Sequence, residues 1–202
     1  ALVQAAADGN RIYATWHSDS KLYAFEFSTS SWSSISTVPG LPRPAFLYIG
    51  NPNQGGLLSN HTLFTKGGLL YYLRHHSTYP MTITPFNPAS GEWGEEVTVE
   101  GAPTNAIGAP LSPDGTVYAL TRLGELFSFE LESKSPVAVF EEQVLSRVDE
   151  AVVNPVVVGN QVITVVASRF RLRVRWGAVE QLGSYDLQSK QSTLLHGLPV
   201  TA

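Results

Sequence analysis

The chain has 202 residues, 43% of them hydrophobic and 15% charged, with a formal net charge of −4 at pH 7. That length and apolar content can bury a sizeable core, and the acidic balance excludes the global basic field that gathers nucleic acid or anionic membrane. There is no cysteine, which excludes disulfides, thiolate-bound zinc and a cysteine nucleophile.

No apolar run reaches the roughly 18 to 20 residues that a membrane-spanning helix needs, so no membrane span is expected. No charged segment followed by an apolar stretch opens the sequence, and the compartment stays open. The one N-x-S/T sequon, Asn60-His61-Thr62, falls between two repeat units, where a glycan is tolerated in a secreted protein.

The first predicted element pair follows the turn Asp8-Gly9-Asn10 and covers 11–16 and 21–27. In both runs aromatic and β-branched residues alternate with small or polar ones, the period of a pleated strand. The polar stretch Ser28-Thr29-Ser30-Ser31 then predicts a turn into one more strand, and the unit closes near residue 44. A second unit, 57–102, repeats the plan with the turn Lys66-Gly67-Gly68, runs over 69–74 and 80–86, and the polar turn Asn87-Pro88-Ala89-Ser90-Gly91. A third, 106–146, has Asp114-Gly115 and Glu132-Ser133-Lys134-Ser135 at the same places, and a fourth, 151–200, has Gly159-Asn160 and Gln188-Ser189-Lys190-Gln191.

Four-stranded antiparallel units repeating about every 45 residues are the signature of propeller blades. The expected fold is therefore all-β: a β-propeller of about four four-stranded blades in one domain spanning 1–202. The alternative is that these blades are part of a larger ring of roughly six to eight. Tyr13, Tyr71 and Tyr118 recur at one position, and Tyr23, Phe86, Phe129 and Tyr185 near another, which predicts packing between blades.

Several units resemble known propeller families. KLYAFEFSTSSWSSISTVPGLPRP in unit one and MTITPFNPASGEWGEEV in unit two resemble kelch repeats, with Trp32 and Trp93 at the kelch tryptophan and Pro42-Arg43 at the closing Pro-Arg. DGTVYALTRLGELFSFEL in unit three is similar to a quinoprotein-type propeller repeat. AAADGNRIYATWHSDSKLYAFEF, followed by SSW, resembles repeats of fungal fucose-binding lectins. The kelch-like resemblance implies a propeller used for binding, and the lectin resemblance implies a carbohydrate ligand.

Naming the strands of a unit A to D, propeller topology gathers the B–C and D–A connections on one face and the A–B and C–D turns on the other. The residues that break the repeat fall on the first face. Blade one contributes Trp16, His17 and Asp19, and the connection over 39–56 contributes Arg43 and Tyr48. Blade two adds His75, His76 and Tyr79, and blade three adds Arg122. In blade four, Arg169, Arg171, Arg173 and Arg175 alternate with apolar residues up to Trp176, which on a strand puts four guanidinium groups on one side. Such a row suits a carboxylate, a phosphate or an acidic protein segment, and it equally suits a solvated or charge-protected strand edge. Aromatic rings at a loop rim are suited to stacking on a ligand.

His75 and His76 do not predict a metal site, because neighbouring strand residues point to opposite faces. No nucleophile elbow, P-loop or dinucleotide fingerprint is present. No cofactor is expected, no catalytic residue stands out, and nucleic acid is not an expected partner. The leading expectation is a non-catalytic module that recognises a protein, a peptide or a small anionic ligand. Carbohydrate binding is the first alternative, an enzyme with a site at the channel mouth the second, and a homo-oligomer is an expected possibility.

Overall fold

The computed structural model describes residues 2–16, 20–39, 46–49, 56–59, 61–75, 80–104, 106–121, 124–143, 155–169 and 178–195. Among them every regular element is a strand. The first sheet holds β1 (Leu2–Ala7), β2 (Arg11–Trp16), β3 (Lys21–Glu26) and β4 (Ser31–Thr37), paired in chain order. A hairpin of β5 (Phe46–Ile49) and β6 (Gly56–Ser59) follows. The second sheet is built from β7 (His61–Lys66), β8 (Leu69–Arg74) and β9 (Thr82–Asn87), with β10 (Glu92–Trp93) and β11 (Val97–Thr98) both pairing with β9. The third contains β12 (Ala106–Gly108), β13 (Thr116–Thr121), β14 (Glu125–Glu130) and β15 (Val139–Gln143). The fourth contains β16 (Val156–Val158), β17 (Gln161–Arg169), β18 (Ala178–Asp186) and β19 (Gln191–Leu195). Every strand pairing is antiparallel, and the four sheets are arranged as a four-blade β-propeller whose first strands β1, β7, β12 and β16 border one central cavity.

The hairpin registers fix which residues are equivalent. Ile12 pairs with Phe25, Leu70 with Phe86, Val117 with Phe129 and Val162 with Tyr185. Phe25, and not Tyr23, is therefore the blade-one counterpart of Phe86, Phe129 and Tyr185. Tyr23 lies two residues away on the same face, opposite Ala14. Alternation alone cannot separate the two, because residues i and i+2 share a face.

Packing between blades follows from this alternation. One face of each sheet points to the preceding blade and the other to the next. Tyr13, Leu22 and Ala24 of blade one pack with Leu63, Leu70, Tyr72 and Phe86 of blade two. The opposite face of blade two sends Phe64, Tyr71 and Leu73 into a cluster with Val117, Ala119 and Phe129 of blade three. Burying one such side chain is worth about 1.5–3 kcal/mol, and each seam gathers several of them.

Two local irregularities have plain causes. The outer strand of blade two is broken between β10 and β11 beside Pro85, which has no N–H to extend the ladder. Gly94 crosses there, its N–H donating to the Pro85 carbonyl at 2.8 Å, and a Cβ on Gly94 would lie 2.8 Å from Pro85 Cγ. The β5–β6 hairpin lies within a stretch that the sequence pattern reads as connection followed by the start of blade two. Its apolar runs flank Gly50-Asn51-Pro52-Asn53, a turn-rich segment that is itself a hairpin signal, and blade two starts at His61 rather than 57.

Candidate functional site

The A–B and C–D turns form one end of the propeller, and side chains tie them down. Asp8 accepts the N–H groups of Asn10 and Arg11 at 3.1 and 2.9 Å and the Tyr13 hydroxyl at 3.0 Å. Burial works against the charged carboxylate, but these bonds outweigh it and hold Asp8 below the usual aspartate value. Asp114 is lowered by bonds from the Ser112 hydroxyl and the Thr116 N–H, and Asp186 by the Ser189 and Gln188 N–H groups.

Contacts between blades cross the same end. Lys66 donates to the Asp114 carbonyl at 3.3 Å and pairs with Glu132 at 3.0 Å, and the Tyr71 hydroxyl donates to Glu132 at 3.3 Å. Gly115, at φ +102°, is needed for this reach, since a Cβ there would meet the Lys66 ammonium at 1.8 Å. Lys190 of blade four pairs with Glu141 of blade three at 2.8 Å. Glu141 is pushed up by burial, yet its bonds from Lys190 and Ser128 leave it below the usual value.

The opposite end is the rim, where B–C and D–A connections gather. A buried polar row supports it. Thr15 of blade one hydrogen-bonds His61 Nε2 at 2.9 Å, and both residues are fully buried. Burial, with the nearby His75 ring, pushes the His61 imidazole down to about 3, so it is neutral in the fold. His75 sits with Nε2 2.8 Å from the Thr62 hydroxyl and Nδ1 3.4 Å from the Ala106 carbonyl. A carbonyl can only accept, so Nδ1 carries a proton. Beside it, Glu96 receives the Thr82 hydroxyl at 3.1 Å and faces Arg74 at 3.6 Å. In blade three the Thr121 hydroxyl donates to Glu125 and accepts the Glu125 N–H, both at 3.1 Å, directly flanking position 122.

The central cavity has a volume of about 260 Å³. Gln4 and Ala5 of β1, Thr62 and Leu63 of β7, Gly108 to Pro110 at β12, and Pro155 to Val157 at β16 line it. The wall is mostly aliphatic with two polar groups, the Gln4 amide and the Thr62 hydroxyl. Such a lining suits a small apolar moiety or an inserted side chain better than a sugar ring that needs many hydrogen bonds.

Of the residues singled out from the sequence, the structure places His75 in full, and it is turned inward. Trp16, Tyr48 and Arg169 are placed by backbone only, on β2, β5 and the last position of β17. His17, Asp19, Arg43, His76, Tyr79, Arg122, Arg171, Arg173, Arg175 and Trp176 lie outside the described residues. In blade four the paired strands run as far as Arg169 opposite Ala178, longer than the six-residue strands that carry the B–C connections elsewhere. Among the described residues, no group of three His, Asp or Glu is placed to hold a metal ion. His61, Thr15 and the Arg74–Glu96 pair were not picked out from sequence. The signal for His61 was its position one step before Thr62-Leu63-Phe64, on the side of the strand that Leu63 shares.

No protein-family model matches the chain, and no curated protein matches it in sequence. Solved structures do share its architecture. YjhT is similar over 98% of this chain and 66% of its own, with 12% identity and a TM-score of 0.62. TolB from Acinetobacter baumannii is similar over 98% of this chain and 44% of its own, at 13% identity and a TM-score of 0.57. Both are propeller proteins. A chain of a nidogen/laminin complex matches 95% of this chain and 62% of its own, at 9% identity and a TM-score of 0.55. The chain therefore spans two thirds or less of these proteins, and at such identities the likeness is one of fold.

Proposed function

We propose that the protein is a non-catalytic recognition module that binds an acidic segment of a protein partner across the rim. The observation carrying this reading is the contrast between the ends. Short, cross-tied turns close one end, while the arginines that break the repeat, Arg43, Arg122 and the alternating row from Arg169 to Arg175, fall in sequence within or beside the connections that we assign to the other. Guanidinium groups form forked bonds with carboxylates, and the aliphatic cavity accepts an apolar side chain of the same segment. Trp16, Tyr48, Tyr79 and Trp176, which break the repeat in sequence, add aromatic residues suited to stacking on the partner. The nidogen/laminin match adds a chain of this architecture found within a protein complex.

The test is a titration of equal-length acidic, neutral and basic peptides by fluorescence anisotropy, at two salt concentrations. The acidic peptide alone should bind, more weakly at high salt, and Arg171→Ser with Arg173→Ser should weaken it by roughly tenfold or more. Binding unchanged in that double variant, or binding of a neutral glycan in place of the peptide, overturns the reading.

A further inference from the structure

An arginine at the rim end is already engaged within the chain. Arg74 is the last residue of β8, paired with His61 of β7 on one side and with Thr82, the first residue of β9, on the other. It shares a face with Tyr72, two positions back, and Tyr72 packs with Tyr13, Leu22 and Ala24 of blade one. Arg74 therefore stands at the rim mouth of the seam between blades one and two, beside the His61 that Thr15 bonds.

Its pairing is lopsided. A single oxygen of Glu96, Oε2, faces the Arg74 guanidinium at 3.6 Å and also receives the Thr82 hydroxyl at 3.1 Å. A forked guanidinium–carboxylate bond closes to about 2.7–2.9 Å, so the Glu96 contact is long and not forked. The Arg74 side chain is 15% exposed and that of Glu96 44%. An enclosed cation gains more from a close carboxylate than an exposed one does, and a half-exposed carboxylate regains water readily when it leaves. Deeper on the same face, the hydroxyls of Tyr72 and Thr84 occupy paired positions of β8 and β9, buried and without a hydrogen-bond partner among the described residues. Burial raises the pKa of the Tyr72 hydroxyl, while Arg74 lowers it and Glu96 raises it, so both charges bear on that group. The layer is richer in donors than in acceptors, an imbalance that an incoming carboxylate corrects.

We propose that Arg74 is a specificity-determining anchor at the rim, taking one carboxylate of the acidic segment in a forked bond while Glu96 turns out into water. The inference rests on the acidic-partner reading and deepens it by adding a built-in competitor. The free protein fills the anchor with its own carboxylate, and a segment without a carboxylate at that place does not displace it. Selection of a charged segment over a neutral one follows.

The test is the anisotropy titration with a labelled peptide rich in aspartate and glutamate, run on the wild type, Glu96→Gln, Glu95→Gln, Arg74→Gln and the Arg74→Gln, Glu96→Gln pair. Glutamine at 96 keeps an acceptor for Thr82 and removes the competing charge, so affinity should rise about threefold to tenfold. Glu95, exposed one residue away, controls for the change in net charge and should give at most a small part of that gain. Arg74→Gln should weaken binding about tenfold, and in its background Glu96→Gln should gain nothing. Melting curves establish that each variant is folded. If Arg74→Gln is not, Arg74→Lys, which keeps the charge but not the fork, takes its place, and the gain from Glu96→Gln should then shrink. A wild type that binds the peptide, with a Glu96→Gln variant that gains nothing, gains no more than Glu95→Gln or gains as much without Arg74, overturns this inference and leaves the acidic-partner reading standing. A wild type that fails to bind the peptide overturns that reading, and this inference with it.

Discussion

At the turn end, Asp8, Asp114 and Asp186 each commit a carboxylate oxygen to backbone N–H groups of their own turn, and Lys66 and Lys190 reach across to the neighbouring blade. At the rim end, the side chains under the surface are similarly anchored, through Thr15–His61, Thr62–His75 and Thr121–Glu125, but the connections above them depart from the repeat in every blade. The difference teaches where this propeller can change. A substitution in the turns disturbs bonds that hold two blades together, whereas one in the rim connections leaves the seams and their polar supports in place.

The seams bear on both ends alike, so the largest effect is expected there. Phe86→Ala removes a fully buried ring between blades one and two and should cost about 3–5 kcal/mol in urea unfolding. An effect below about 1 kcal/mol would break the assignment of that seam as core.

Acid tests the rim support next. The His61 imidazole is depressed from 6.5 to about 3 in the fold, so as pH falls the unfolded chain takes up the proton first. The stability this group contributes is complete above 6.5 and is lost progressively between 6.5 and about 3. His61→Asn should flatten this part of the stability profile. The turn carboxylates follow: Asp8 and Asp114 are lowered from 3.8 and Glu141 from 4.5, so their contribution is present above those values and disappears below them.

Smaller effects separate the ends more finely. Gly115→Ala places a side chain at positive φ and displaces Lys66, for an expected loss of about 1–3 kcal/mol by thermal unfolding. Ser30, at φ 50°, holds in blade one the turn position that Gly91 holds in blade two at φ 74°. Ser30→Gly should therefore stabilise by a few tenths to about 1 kcal/mol. The Arg171→Ser, Arg173→Ser variant should leave the melting temperature within the range of an ordinary surface change, about 0.5 kcal/mol.

Much of the scaffold is legible in the sequence because its signals are local and repeated. Gly9, Gly67 and Gly115 all adopt positive φ in the A–B turns, and Tyr13, Tyr71 and Tyr118 are buried two strand positions beyond the start of β2, β8 and β13. The phase of Phe25 against Tyr23 needed the hairpin register, which depends on how two runs pair and not on either run alone. The β5–β6 hairpin was hidden by the regularity of the repeat, since anything between two units reads as connection. His61 and the Arg74–Glu96 pair join residues distant in sequence, across blades or strands, and no spacing rule predicts those meetings. The exposure of Trp32 beside the half-burial of Trp93 is of the same kind: identical residues at identical positions of the repeat, whose surroundings no single run of sequence discloses.

Hydrogen–deuterium exchange of the protein, with and without a saturating acidic peptide, tests the division between the ends most directly. Binding at the rim predicts added protection in the segments spanning 16–20, 75–80, 121–125 and 169–178, with no change in the turns at 8–10, 66–68, 114–116 and 187–190. Protection concentrated in those turns, with the rim segments unaltered, would contradict the account.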